Sequence, residues 1–268
     1  MKKLFRTGLG LFLFAVLLSA VSAFWLEAHA ANNTTSLGGQ ASENRPIDAR
    51  VVQVVMSGPI DLILRPSANP ELYVKGDPKL VSRVTTRIEG NTLYVATRGI
   101  FISTGQSEQT RVELNLPAIE RVQLQGSGDG HIKGFKGARL ELSQRGSGDL
   151  QADVDYQHVQ ASLTGSGDLQ LQLAQSETVD MTIQGSGDAT LRGQTKQMTA
   201  KLMGSGDLNA TSMKTGQLTI DLYGSSDAKV YVSDELKARL TGSGDLHVQG
   251  NPPRKQVQKM GSGEIYWR

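Results

Sequence analysis

Eight acidic residues recur along the second half of the chain, and each closes a four-residue motif that reads GSGD in most copies. They are Asp129, Asp149, Asp168, Asp188, Asp207, Asp227, Asp245 and Glu264. Carboxylates repeated in this way could coordinate a cation such as Ca²⁺, which prefers oxygen ligands. Neighbouring carboxylates about 5 Å apart also match the pair of a retaining glycosidase. Alternatively, each acid could accept hydrogen bonds from the amides of its own turn, and this is the interpretation that we favour.

The motif keeps a nearly constant period, because its first glycines are 18 to 20 residues apart. A period near 20 residues is typical of a solenoid, in which each unit is too small to bury its own apolar face and stacks on its neighbours. A reversal of direction within about two residues needs backbone angles that glycine adopts without strain. We therefore predict structural turn glycines at Gly126, Gly128, Gly146, Gly148, Gly165, Gly167, Gly185, Gly187, Gly204, Gly206, Gly224, Gly242, Gly244, Gly261 and Gly263.

Apolar residues alternate with polar ones on both sides of each motif, as Leu163 before and Leu169 after the third copy illustrate. Period-two alternation is typical of half-buried strands. The predicted fold is all-β: a parallel β-helix, or β-solenoid, with about 19–20 residues per coil over 118–268. In the last coil the positions that point into the core in the other coils are occupied by Lys259 and Trp267. Stacking places the acids about 4.8 Å apart, where like charges repel unless amides, water or cations compensate them.

The pattern does not favour a catalytic site. A catalytic site is singular, whereas these acids are copied along one ridge. The three histidines that follow residue 30, His131, His158 and His247, are spread over the repeat, and no phosphate-loop lysine follows a glycine motif. We predict no catalytic residues and no required cofactor. A polysaccharide-active β-helix enzyme and a calcium-stabilised structural spacer remain the alternatives.

The outward columns are mostly uncharged and polar. They comprise Gln123, Ser143, Ser162, Thr182 and Lys201 before the turns, and Gln151, Gln170, Thr190 and Asn209 after them. Such a face is either a plain soluble exterior or a flat platform for glycans or other envelope components. Its aromatic residues are Tyr223, Tyr231, Tyr266 and Trp267.

Residues 46–117 are strand-rich but less regular than the repeat. Ser57–Asp61, SGPID, resembles a modified copy of the later turn. Residues 84–97 predict a hairpin through Glu89-Gly90-Asn91. We expect this region to form irregular first coils, with the hairpin projecting to cap the end of the solenoid, since an open sheet edge recruits other chains.

The first 30 residues have the features of a secretory signal. Basic residues precede an apolar run over 9–21, and Ala28-His29-Ala30 supplies a small-x-small cleavage site. An uncleaved anchor helix is the alternative. Residues 31–45 are predicted to be a flexible linker, since they lack an apolar period. These features predict export to the periplasm or to the cell surface or medium, with no membrane-spanning segment after cleavage.

Charge and cysteine content exclude several classes of function. Removing residues 1–30 takes three basic residues and one acid from totals of 28 and 26, which leaves 25 of each. A formally neutral chain without a basic cluster does not predict nucleic-acid binding. The chain has no cysteine, which excludes disulfides, thiol redox chemistry and a cysteine-linked lipid anchor.

Three stretches, VMSGPIDLILRP, VELNLPAIERVQLQGSGDG and the recurrent GSGD, resemble the autotransporter adhesin head GIN domain family of exported bacterial proteins. The resemblance covers residues from Ile47 onward. It implies a pectin-lyase-like β-helix whose GSG turns join two sheets, with no established catalytic residues. It also implies a role in adhesion or envelope organisation, with glycans or envelope proteins as partners.

Overall fold

The structure, a computed structural model, describes residues 40–99 and 110–268. The predicted signal at 1–30 and the first part of the predicted linker, 31–39, lie outside the described residues. The strands are β1 Ala41–Arg45, β2 Gln53–Ser57, β3 Ile60–Pro66, β4 Glu71–Gly76, β5 Val84–Glu89, β6 Thr92–Thr97, β7 Thr110–Leu116, β8 Arg121–Gly126, β9 Gly130–Gly146, β10 Leu150–Gly165, β11 Leu169–Leu173, β12 Ser176–Gly185, β13 Ala189–Gly204, β14 Leu208–Gly224, β15 Ala228–Gly242, β16 Leu246–Gln249, β17 Arg254–Gly261 and β18 Ile265–Trp267; a short helix α1 spans Pro78–Val81.

The repeats stack as parallel strands, and the segments next to the turns are in register from coil to coil. Residues at the same place in successive motifs pair, so that Leu163 lies beside Ile183 and Ile183 beside Leu202. We call the stack of segments that enter the turns, such as 158–165, the leading ladder. The stack of segments that leave them, such as 150–154, is the trailing ladder. The predicted all-β parallel solenoid is confirmed.

The core lies between the two ladders and runs as one continuous cluster through both the irregular and the regular coils. Leu163 and Leu202 on the leading ladder, and Leu171 and Leu191 on the trailing ladder, are at most 1% exposed. Gln144 is the one inward glutamine of its column, and its amide nitrogen donates to the Gly148 carbonyl oxygen at 2.6 Å. Burial of these apolar columns is the main favourable contribution to the fold.

Opposite the GSGD turns, the chain bends back, within one continuous strand in some coils and through a break between β11 and β12 and between β16 and β17. The long strands β9, β10, β13 and β14 pass through this return corner, where the pairing shifts register, for example between Asp153 and Asp155. Buried side chains supply hydrogen bonds to this corner: Tyr156 Oη donates to the Ile119 carbonyl at 2.7 Å, and Ser176 Oγ donates to the Tyr156 carbonyl at 2.7 Å.

The first coils mix parallel and antiparallel pairing. β2 pairs in parallel with β8, and β3 pairs in parallel with β7 and β9, which continues both ladders. The hairpin β5–β6 is confirmed, but the expectation that it projects is wrong, because β6 pairs in parallel with β2. The hairpin therefore extends the leading ladder as its outermost strands.

The linker prediction was wrong for its last five residues. Residues Ala41–Arg45 form β1, which pairs antiparallel with β4. Ala41 is buried, and the Arg45 guanidinium donates to the Val84 carbonyl. The residues of this segment have little intrinsic preference for a β-strand. The segment forms a strand because it pairs with β4, which is distant in the sequence.

The last coil also departs from the pattern. Lys259 and Trp267 occupy positions that are buried in the preceding coil as Leu240 and Val248. Both are exposed, because no further coil among the described residues covers them. In the described part of the chain no helix is long and apolar enough to cross a membrane.

Candidate functional site

The acids of the repeat form a hydrogen-bonded ladder along one edge of the solenoid. The backbone N–H of each acid donates to the Oδ1 atom of the acid one coil earlier. Asp149 donates to Asp129 at 2.8 Å, Asp168 to Asp149 at 2.9 Å, and the series continues to Glu264, which donates to Asp245 at 2.8 Å. The acid ladder, as we call Asp129, Asp149, Asp168, Asp188, Asp207, Asp227, Asp245 and Glu264, is thus built by stacking and by amide donors.

The ladder begins one coil earlier than the GSGD pattern indicates. Asp61 accepts a hydrogen bond from the Asp129 N–H at 3.0 Å, and Gly58 has φ +110°, as the first glycines of the later turns do. The SGPID turn is therefore its first rung. Asp61 was not among the predicted site residues, although the spacing Gly58-x-x-Asp61 contained the signal.

The predicted role as an acceptor of amide hydrogen bonds is found, but the donor belongs to the next coil and not to the acid's own turn. This geometry suits a backbone acceptor better than a cation ligand. One oxygen of each aspartate is already bonded to an amide, and each carboxylate stands on its own coil. Within residues 40–99 and 110–268, no three side chains from His, Asp and Glu come together in a way that could hold a metal ion. A calcium site would require ligands to converge from several directions.

The turn glycines are needed for two separate reasons. The first glycine of each motif takes a left-handed φ, as Gly185 does at +124°. The second is needed because the coils touch there: a Cβ on Gly187 would lie 2.0 Å from the Gly167 carbonyl oxygen. In five of the eight turns the serine and second-glycine N–H groups both donate to the first-glycine carbonyl one coil earlier, as Ser186 and Gly187 do to Gly165 at 2.9 and 3.1 Å.

One turn breaks this rule. Ser226 occupies the place of the second glycine, is 1% exposed, and its hydroxyl has no hydrogen-bond partner within the described part of the chain. The Ser225 N–H donates to the Gly204 carbonyl at 2.9 Å; among the described turns the companion bond is missing at position 226 and also at Gly128 and Gly244. A buried hydroxyl without a partner destabilises the folded state.

The outer face of the trailing ladder carries a line of polar side chains in register. His131 Nδ1 lies 3.1 Å from Gln151 Oε1, and Gln151 Nε2 donates to Gln170 Oε1 at 3.3 Å. These residues border a shallow cavity of about 290 Å³ that also includes Lys133 and Arg192. We call Gln151, Gln170, Thr190 and Asn209, with His131 at their head, the polar ladder.

A larger groove of about 560 Å³ lies near the return corner, across β8, β9, β10 and β12 of the first four regular coils. Arg121 and Glu141 form an ion pair on it at 2.6 Å, and His158 Nδ1 lies 2.9 Å from Thr178 Oγ1. Burial, and to a lesser extent the charge of Glu120, raises the pKa of Tyr156 to about 12. This phenol donates to a backbone carbonyl and is not poised as a base.

The three histidines that the structure describes do not assemble into a catalytic or metal-binding group. His131 meets Gln151, His158 meets Thr178, and His247 stacks on Tyr266 with ring centroids 4.7 Å apart. The Tyr266 hydroxyl lies close to the acid ladder. The negative charge of Asp245, followed by that of Glu264, therefore raises the pKa of this phenol.

The sequence profile of one protein family matches residues 52–252, and it is described as "Putative auto-transporter adhesin, head GIN domain". The chain belongs to this family. The matched range contains the SGPID turn and all but the last copy of the repeated turn, which agrees with the resemblance inferred from those motifs. No curated protein matches the chain.

Solved structures of similar proteins share the fold of this GIN domain. A putative lipid binding protein from Parabacteroides distasonis is 23% identical, with a TM-score of 0.78, over 88% of this chain and 98% of its own. A putative adhesin from Parabacteroides merdae is 20% identical, with a TM-score of 0.78, over 86% and 97%. A putative adhesin from Bacteroides fragilis is 17% identical, with a TM-score of 0.65, over 87% and 98%. The description of the GIN family supports an adhesin-like role.

Proposed function

We propose that this GIN domain is an exported binding or scaffold module of the cell envelope that contacts glycans through its polar ladder. The observation that carries the proposal is the register of uncharged amide and hydroxyl groups on the outer face of the trailing ladder. Gln151 and Gln170 each offer both a donor and an acceptor, and the two amides already bond to each other.

Such a surface matches the chemistry of carbohydrate. Sugar hydroxyls donate and accept hydrogen bonds, and a side-chain amide can both accept from them and donate to them. Successive rungs stand about 4.8 Å apart, the spacing of neighbouring strands, so that an extended chain of sugars meets one rung after another. The face is nearly balanced in charge, with Lys133 beside Asp153 at 4.0 Å. Because no strong charge dominates this face, affinity for a glycan would come from many weak hydrogen bonds, one or two at each rung.

A non-enzymatic role agrees best with the arrangement of the acids. The acid ladder repeats one carboxylate per coil. Its hydrogen bonds to backbone amides account for the regular spacing of the acids, so no catalytic role is needed to explain it. The rival polysaccharide-active enzyme would need one acid that differs from its neighbours in surroundings. The calcium-stabilised spacer would need a cation to raise the free energy of unfolding by mass action.

Export to the periplasm or cell surface is part of the proposal. The family of adhesin heads supports an exported or surface protein, and the predicted signal at 1–30 supplies the route. Residues 31–268 would then be the working form. Envelope proteins are the second class of partner.

The test is binding of the exported chain to an array of glycans and cell-wall fragments, with and without a chelator. A Gln151→Ala, Gln170→Ala double variant removes two rungs of the polar ladder. The matched control is Ser143→Ala, Ser162→Ala, which removes a hydrogen-bonded pair from the outer face of the leading ladder. We expect selective glycan binding that the glutamine variant weakens at least tenfold and the serine variant retains. Binding that both variants retain, or a blank array with folded protein, would overturn the glycan proposal.

A further inference from the structure

Exposed apolar side chains are concentrated on the last coil. Of the five large apolar residues that are exposed in the described ranges, four lie there: Val257, Met260, Tyr266 and Trp267, which are 40 to 68% exposed. The same coil carries Arg254, Lys255, Lys259 and Arg268 against the single acid Glu264. A basic, partly apolar end stands out on a chain that is otherwise balanced in charge.

The end also offers backbone hydrogen-bonding groups. β17 is an eight-residue strand that pairs with β15 along one side, and β18 pairs with β16. On their other side, neither strand has a register partner among the described residues. An edge of this length is a template onto which another strand can pair.

The inward positions of β17 set the charge of this template. In β15 these positions are Leu236, Ala238 and Leu240, which are buried; in β17 their register partners are Lys255, Val257 and Lys259. Lys255 Nζ lies 4.2 Å from the centroid of the Trp267 ring and so reaches across from the leading to the trailing ladder.

Arg254, by contrast, is already neutralised by Glu235, with Nε and Oε2 3.1 Å apart. The two lysines have no acidic partner among the described residues. They are the charges that an added strand would meet.

These charges disfavour a second copy of the chain as the occupant. Two β17 edges paired antiparallel about Val257 would set Lys255 of each copy opposite Lys259 of the other. Like charges directly opposite on neighbouring strands destabilise the pair. The opposite end of the leading ladder is β5, whose positions on the core side are Val84, Thr86 and Ile88, and it offers no acid there to match the lysines.

We propose that the C-terminal end of the solenoid binds an extended acidic polypeptide segment, which adds as a strand to β17. Its acidic residues stand opposite Lys255 and Lys259, four positions apart, and an apolar residue between them covers Val257. Main-chain hydrogen bonds supply affinity in this mode of binding, and alternate side chains supply specificity. The site is separate from the polar ladder, so that either proposal can fail alone.

Trp267 makes the test direct. The sequence has two tryptophans, and the other, Trp25, lies in the predicted signal. Tryptophan emission of the chain purified after export therefore reports on this end alone. The probe is a blocked seven-residue peptide of threonines with glutamates second and sixth and a valine fourth. The matched peptide has lysines in place of the glutamates.

We expect the glutamate peptide to change Trp267 emission saturably and the lysine peptide to bind about tenfold more weakly. Lys255→Glu with Lys259→Glu should reverse this preference. Lys201→Glu with Lys214→Glu, the same charge change on exposed lysines away from the end, should leave it unchanged. Circular dichroism checks that each variant is folded.

Three results would overturn the proposal. One is equal binding of the two peptides, or none. A second is self-association of the unmodified chain, measured by light scattering, that the glutamate peptide does not disperse. The third is a change in Trp267 emission with vesicles of anionic phosphatidylglycerol and none with peptide, which would assign the end to a lipid surface.

Discussion

The backbone N–H of Asp188 donates to Oδ1 of Asp168 at 3.0 Å, while Asp188 Oδ1 accepts the N–H of Asp207 at 2.8 Å. Each aspartate of the ladder is therefore bonded to the coil before it and the coil after it, whereas Glu264, in the last described coil, is bonded only to the coil before it. The amide dipole points its positive end at the carboxylate that accepts from it. These bonds offset the repulsion between like charges at strand spacing.

Replacement of one rung should separate the acceptor role from the charge. Asp188→Ala leaves the Asp207 N–H without its acceptor, and we expect it to lower the free energy of unfolding by about 1 kcal/mol. Asp188→Asn keeps an oxygen in place and should cost less than half as much. Urea unfolding of both variants measures the difference. Equal losses would show that the charge, and not the acceptor, matters.

The second glycine of a turn should tolerate no side chain. Gly187→Ala places a Cβ 2.0 Å from the Gly167 carbonyl oxygen, and relief requires a shift of the stacked backbone. We expect a loss of about 3 kcal/mol or more in the free energy of unfolding.

The matched control for that prediction is Gly90→Ala in the β5–β6 hairpin. Gly90 has φ +62° and nothing within 4 Å of the added Cβ, so the cost should be that of a left-handed residue, about 1 kcal/mol. Thermal unfolding of the two variants side by side makes the comparison. A similar loss in both would mean that stacking leaves room at the turn.

The irregular turn should be improvable. Ser226→Gly removes a buried hydroxyl without a partner and restores the glycine of the other turns, and we expect a gain of about 1 kcal/mol. Ser225→Gly in the same turn is the control; its hydroxyl is exposed and lies 3.2 Å from Ser243 Oγ, so its removal should give no gain. A destabilised Ser226→Gly variant would indicate a partner for the hydroxyl.

Tyr156 should make stability depend on alkaline pH. Burial raises its pKa from 10 to about 12, so the protonated phenol stabilises the folded state fully below pH 10. This contribution is lost as the pH rises from 10 to 12, where the unfolded state releases the proton first. The shift corresponds to stability on the order of 2 kcal/mol.

Unfolding of wild type and Tyr156→Phe between pH 9 and 12 tests this dependence. The variant lacks the bond to Ile119 and should be less stable at pH 9, but its stability should fall less steeply above pH 10. Tyr94→Phe, which leaves Tyr156 in place, should follow wild type. Parallel curves for Tyr156→Phe and wild type would contradict the assignment.

Much of the repeat was predictable, because its signals are local. A glycine motif every 18 to 20 residues places the turns, and period-two alternation decides which side chains enter the core. A slip of one residue in strand pairing would turn every apolar side chain outward. Only one register therefore buries the columns that contain Leu163 and Leu169. The acids then had to stack in a single ladder.

The ends could not be predicted in the same way. Ala41–Arg45 forms a strand through its pairing with β4, which lies some 30 residues later in the chain, and the hairpin continues the leading ladder through β2. Edge pairing of this kind depends on which backbone groups other segments leave unpaired, and no local pattern records it.

The amino-acid sequence by itself determined the solenoid, its period, the turn glycines and the alternation of inward and outward residues, because each depends on neighbours within one coil. Only the tertiary structure decided that Asp61 bonds to the Asp129 amide, that one oxygen of each aspartate bonds the next amide, and that Lys259 and Trp267 are exposed. Those features depend on contacts between coils, which exist only once the chain has stacked.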